Sequence, residues 1–258
     1  MPLAIHPIPA FETNYIWAIH DGKHCALVDP GSAAEALDYL QQNNLKLCAL
    51  LLTHHHHDHI GGVDEILQNH PVPTWGPKDP RMPQVNRPVA EGERAGVPEL
   101  GLNLAVLETP GHTTSHIVYC GDHGNEHILL AGDTLFSVGC GRLFEGTPEQ
   151  MQHSLDKLAP LPDHTQLYCA HEYTEDNCRF AQQVEPDNPA LKARAEKVKK
   201  LRADGQVTLP VTLGEERATN PFLRTREESV IEAARRRNPA VGPKPAEVFG
   251  VIRRWKDG

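Results

Sequence analysis

Residues 51–62 read "LLTHHHHDHIGG", which sets five imidazoles and one carboxylate in six consecutive positions, His54 to His59. Histidine is a poor helix former and a mediocre strand former, so packing does not call for such a run. It is either a solvated polar loop or a set of metal ligands. A terminal affinity tag explains neither its internal position nor the Asp58-His59-Ile60-Gly61-Gly62 continuation. In an extended chain alternate side chains share a side, which groups His54, His56 and Asp58 and turns His55 and His57 away. His59 follows where the chain bends towards the helical pattern "GVDEILQN". Two imidazoles in one group, and a carboxylate with an imidazole in another, can face two different ions.

Outward from this stretch, short apolar runs alternate with turn signals. "NYIWAIH", "HCALVDPG", "LCALLLTH", "LNLAVLETPGH", "HIVYCGD", "HILLAGD" and "QLYCAH" are strand candidates by length and composition. "SAAEALDYLQQNN" and "TPEQMQHSLDKLA" have helical patterns, the second with Thr147 as N-cap, Pro148 at the first helical position and Gln150 completing a capping box. Strands interleaved with helices predict an α/β architecture. The Pro- and Gly-rich segment 71–99 is expected to be irregular surface loop. Four runs end in a candidate ligand, directly or after a tight turn: His54, His112, Asp133 and His171. Strands sharing one sheet edge would bring these ends together. With His56, Asp58 and His59 they make seven candidate ligands. One tetrahedral zinc takes four, whereas two ions roughly 3.5–4 Å apart sharing a carboxylate use the full number. Imidazole and carboxylate without thiolate suit zinc, iron or manganese.

The 258 residues carry a net charge of −9, distributed unevenly. Residues 1–188 hold 9 basic against 25 acidic side chains, a balance of −16, and residues 189–258 hold 16 against 9, a balance of +7. All 16 histidines lie at or before His171. The break predicts a metal-binding domain over 1–171 and a helical domain over 172–258. Helices are expected from Pro189 to Gly205, from a capping box of Thr225 and Glu228 to before Pro239, and over "KPAEVFGVIRRWKDG". In the last of these Val248, Val251, Ile252 and Trp255 make one apolar stripe, flanked by Arg253 and Lys256, while Arg254 points away. The six cysteines are scattered without a C-x-x-C pair and read as reduced, buried thiols. No run reaches the ~18–20 apolar residues of a membrane span, and the N-terminus lacks the pattern of a signal peptide. A cytoplasmic protein is expected, with no membrane partner. A nucleic-acid-binding role for the basic tail competes, but net acidity and the lack of interleaved aromatics argue against it.

"THHHHDH", with "GHTTSH", "AGDTLF" and "AHEYT" downstream, resembles the metallo-β-lactamase superfamily. "CGRLFEGTPEQM", "HEYTEDNCRFA", "TNPFLR" and "IRRWK" narrow the resemblance to glyoxalase II, the hydroxyacylglutathione hydrolases, nearly end to end. It implies a four-layer αββα sandwich followed by a smaller α-helical substrate-binding domain. It implies that His54, His56 and His112 bind one metal, that Asp58, His59 and His171 bind a second, and that Asp133 bridges them. It further implies Arg142, Tyr173, Arg253 and Lys256 as glutathione contacts. Phe144 stands where the family commonly has Tyr, so a hydroxyl is absent there. The implied reaction is hydrolysis of S-D-lactoylglutathione to D-lactate and glutathione, the closing step of methylglyoxal detoxification, by a monomer carrying two divalent ions, zinc foremost. The metal-bridging water would attack as hydroxide, with Asp58 as proton acceptor. Rival readings within the superfamily are a persulfide dioxygenase, a lactonase or an RNA-cleaving nuclease, and the "TNPFLR" helical extension argues against them.

Overall fold

A computed structural model describes residues 3–124 and 126–258. The chain divides into two compact units, Met1–Glu108 with Ser115–Gly132, and Thr109–Thr114 with Asp133–Gly258.

The first unit opens with β1 (Ala4–Ala10), β2 (Asn14–His20), β3 (His24–Val28), α1 (Ala33–Gln42) and β4 (Lys46–Leu51). After β4 come α2 (His57–Ile60), α3 (Val63–Asn69), β5 (Thr74–Gly76) and β6 (Arg87–Pro88). The first three strands pair antiparallel, while β4, β5 and β6 add in parallel. Parallel strands need crossovers, and α1 supplies one. On one face Ile16, Ala18, Leu27, Leu50 and Leu52 pack with Ala36, Leu40, Val63 and Ile66 of the helices. The alternate residues Trp17, Ile19, Val28, Ala49 and Leu51 are buried as well, so this sheet is covered on both faces. A second sheet is an antiparallel meander of β7 (Arg94–Val97), β8 (Leu102–Glu108), β9 (Ile117–His123) and β10 (Glu126–Gly132). Tyr119 on β9 donates its hydroxyl to the Leu52 carbonyl (2.8 Å), and the Ile117 amide donates to Thr53 O (3.0 Å), which ties the two sheets at the end of β4.

The segment 71–99 is not wholly irregular, because it contains β5, β6 and β7. Short strands of two to four residues carry no readable periodicity, and they are fixed from outside. Asn86 Oδ1 accepts the Thr74 amide (3.0 Å), and buried Asp79 accepts from Arg81 Nη2 (2.7 Å) and Ser115 Oγ (2.6 Å).

The second unit contains β11 (Leu135–Phe136), β12 (Gly139–Cys140), α4 (Pro148–Leu158), β13 (Gln166–Cys169) and α5 (Thr174–Val184). It continues with α6 (Pro189–Ala203), β14 (Val211–Thr212), α7 (Leu213–Thr219), α8 (Glu228–Arg237) and α9 (Pro245–Asp257). The capping box expected on α4 is present, and Asn188 caps α6. The box expected at Thr225 is not. Helix α8 starts later, from Glu227 as N-cap, and the Thr225 hydroxyl is taken by Gln152 Oε1 (2.9 Å). All six cysteines are buried, and none is joined in a disulfide. Among the described residues no helix is long and apolar enough to cross a membrane.

Candidate metal centre

The sequence places a polar residue at the end of β3 just as it does at the end of β4, and these two ends build the first cluster. Asp29, held at φ 49° after β3, is buried and accepts the Thr53 amide (2.8 Å) and hydroxyl (2.7 Å) and His59 Nδ1 (3.0 Å). Thr53 Oγ1, its own proton committed to Asp29, receives His54 Nδ1 at 3.0 Å. Both rings therefore carry their proton on Nδ1 and present Nε2 as a ligand atom. His54 Nε2 and His56 Nδ1 converge to 3.1 Å, close to the ~3.3 Å separating two nitrogens held at 2.0–2.1 Å on one tetrahedral ion. On the other side His59 Nε2 faces Asp58 Oδ2 at 3.5 Å, and Asn14 Nδ2 on β2 donates to that same oxygen (2.9 Å). The turn can close this tightly because a side chain at Gly31 would collide with the Asp58 carbonyl. His55 turns towards Asp79 (Nδ1 to Oδ2 3.9 Å), and His57 is exposed.

The second unit gathers the other three ligand candidates, two histidines around one carboxylate. Buried Asp133 directs Oδ2 at His112 Nε2 (3.3 Å) and Oδ1 at His171 Nε2 (3.5 Å), so its two oxygens serve different imidazoles. That is the chemistry of a bridging ligand. His112 Nδ1 donates to Arg142 O (2.8 Å), again leaving Nε2 to the ligand side. His171 stacks on Tyr173 at 4.6 Å, and Phe136 meets both rings edge-on.

A cavity of about 440 Å3 opens beside this cluster. His112 and Asp133 lie in its wall together with Arg142, Tyr173, Arg253 and Lys256. Phe144 is 65% exposed and sets its ring edge against His112 (5.3 Å). Arg253, only 3% exposed, lies over the Phe222 ring (5.2 Å) and donates to Cys140 O (2.9 Å) and Asp257 (3.0 Å). Asp257 also faces Arg142 Nε (3.4 Å), linking two of the cations. Lys256 bonds to Asn177 Oδ1, and burial, with Arg253 beside it, lowers its ammonium pKa to about 8. The stripe expected on α9 is buried at Val248, Val251 and Ile252, widened by Phe249, with Arg254 exposed. Asp29 and Asn14 escaped the sequence reading, although "HCALVD" carries the same strand-end signal that marked His54. Asn177 and Asp257 offered no such signal.

Comparison with known proteins agrees with this chemistry. The metallo-beta-lactamase superfamily model matches residues 10–171, and the hydroxyacylglutathione hydrolase C-terminus model matches residues 172–258. The chain is 50% identical over 264 residues to a hydroxyacylglutathione hydrolase of Cupriavidus metallidurans, covering 99% of each protein. It is 50% identical over 257 residues to one from Aliivibrio salmonicida, again covering 99% of each. Among solved structures, BLEG-1 B3 metallo-beta-lactamase aligns with TM-score 0.62 at 24% identity, over 86% of this chain and 99% of that one. TTHA1623 in a di-iron-bound form aligns with TM-score 0.61 at 25% identity, over 84% and 100%. The α/β fold is thus that of the metallo-β-lactamases, extended by a helical C-terminal region. Closely grouped histidines and aspartates in such a fold make divalent metal ions the resident cofactor. The chain belongs to the hydroxyacylglutathione hydrolase family of the metallo-β-lactamase superfamily.

Proposed function

We propose that this protein hydrolyses 2-hydroxyacylglutathione thioesters, S-D-lactoylglutathione foremost, to the hydroxy acid and glutathione, as a cytoplasmic monomer in methylglyoxal detoxification. The observation that carries this reading is the cavity itself. His112 and Asp133 line it together with Arg253 and Lys256, so candidate metal ligands and cations suited to an anionic substrate border one space. Glutathione has two carboxylates and suits paired cations, Arg binding by its planar fork and Lys as a point charge.

The donor sets fit divalent ions of the borderline class, with zinc preferred and iron or manganese admitted. His54, His56 and His112 would hold one ion, Asp58, His59 and His171 the other, and Asp133 both. When bound, such a pair supplies a water acidic enough to ionise near neutral pH and a positive charge for the developing oxyanion. The protein's own groups do the rest. Asp29 and Thr53 fix the tautomers of His59 and His54. Asn14 orients the Asp58 carboxylate, which would accept the water's proton. Arg142, Tyr173, Arg253 and Lys256 hold the glutathione moiety. The leaving thiol, with an ordinary pKa of about 8.5, departs as thiolate, so the site needs no dedicated acid. Phe144 offers ring contact only, without the hydroxyl common in the family.

The test is thiol release from glutathione thioesters with and without chelator, beside metal analysis of His54→Ala and Asp133→Ala. Turnover and metal content should fall together in both variants. Full activity in a metal-depleted Asp133→Ala protein would end the proposal.

A further inference from the structure

The "TNPFLR" segment and helix α7 before it take no part in the chemistry above, yet they carry buried polar groups aimed at one turn. Strands β11 and β12 are joined through Val138 at φ 55°, a left-handed conformation that a β-branched residue rarely adopts. Glu216, fully buried on α7, accepts the Val138 amide (2.8 Å) and the Ser137 hydroxyl (3.0 Å). Asn220, also fully buried, directs Nδ2 at Phe136 O (3.2 Å), Gly139 O (2.9 Å) and Glu216 Oε2 (2.9 Å). Its Oδ1 accepts the Phe222 amide (3.0 Å), which fixes the side chain's orientation.

The same backbone is held from its other side by residues of the cavity. Ser137 O accepts from Asn177 (2.9 Å), whose Oδ1 receives Lys256. Cys140 O accepts from Arg253 (2.9 Å), and Arg142 O from His112 (2.8 Å). Arg253 thus bonds a carbonyl of the strained turn directly, and Lys256 reaches one through Asn177. Phe222 adds a second tie, since Arg253 rests on its ring.

We propose that Glu216 and Asn220 are positioning residues, clamping the 136–140 turn in its left-handed form and thereby placing Arg253 and Lys256 for the glutathione moiety. This rests on the glutathione thioester reading given above. A glycine at 138 would hold the same backbone without help, because glycine enters this region at no steric cost. The clamp is needed because the residue is valine.

The experiment compares Asn220→Ala with Asn220→Ala/Val138→Gly in the full-length, metal-loaded protein. Asn220→Ala should raise KM for S-D-lactoylglutathione about tenfold with kcat within about threefold, and leave metal content intact. Adding Val138→Gly should return KM most of the way to wild type. A purely structural role would lower thermal stability without this KM-against-kcat split and without rescue. The proposal is overturned if Asn220→Ala keeps a wild-type KM, or if its raised KM ignores Val138→Gly. Should the wild-type protein release no thiol from glutathione thioesters, the functional reading alone falls. Hydrogen exchange then decides the clamp: the Val138 amide should exchange at least about tenfold faster in Asn220→Ala, and an unchanged rate refutes it.

Discussion

Asp29→Asn isolates the tautomer argument from everything else in the metal centre. The substitution keeps size and shape, and Asn tolerates φ 49° as well as Asp does. One amide oxygen can still accept the Thr53 amide, now at 2.8 Å from Asp29 Oδ1. The NH2 group then occupies the place of Oδ2, which today receives both the Thr53 hydroxyl (2.7 Å) and His59 Nδ1 (3.0 Å). A donor facing His59 Nδ1 drives the ring proton to Nε2, the atom meant for metal. Losing a supporting partner of this kind costs ten- to a hundredfold in metal affinity, about 1.4–2.8 kcal/mol. Because the Thr53 hydroxyl that orders His54 loses the same acceptor, titrating the metal-free variant with zinc against a competing chelator should show both sites weakened, the one that takes His59 by at least that factor. Circular dichroism should confirm the native fold. If Asp29→Asn binds both ions as tightly as the wild type, the tautomer reasoning is wrong.

Other consequences follow from the cavity and the buried carboxyl. Because burial and Arg253 lower Lys256 to about 8, its charge is lost as pH rises through that value. KM for glutathione thioesters should therefore climb above pH 8, and Lys256→Met should show a higher KM lacking that rise. Phe144→Tyr restores the missing hydroxyl and should lower KM by up to about tenfold, the range of one net hydrogen bond; an unchanged KM would detach this position from substrate. Burial raises the Glu216 carboxyl to about 7. An unfolded chain releases that proton near 4.5, so the fold loses stability as pH rises from about 4.5 to 7, by no more than about 3 kcal/mol. Glu216→Gln should abolish that part of the slope, measured as denaturant midpoints at pH 5 and pH 7.

Much of the candidate centre was legible in the chain because the proposed ligands obey a local rule. His54, His112, Asp133 and His171 each follow an apolar run, and the alternation of an extended segment separates His54 and His56 from their neighbours. The α4 capping box was legible for the same reason, since Thr147 and Gln150 satisfy each other within one turn. What escaped depends on contacts between distant segments. Thr225 has the pattern of a cap, but its buried side chain is turned to Gln152 Oε1 in a distant helix, and α8 starts from Glu227 instead. β5 and β6 are too short for periodicity and exist because β4 offers an open edge. Glu216 and Asn220 read as ordinary polar residues at a helix end, and only the strained turn they hold gives them meaning.

The number of metal ions that support thiol release tests the paired-ion centre most directly. Adding zinc stepwise to metal-free protein, with S-D-lactoylglutathione present, should bring activity to its plateau at two equivalents per chain. Asp133→Ala should reach neither the stoichiometry nor the rate. A plateau at one equivalent, or thiol release at the full rate before any metal is added, would contradict the paired-ion centre.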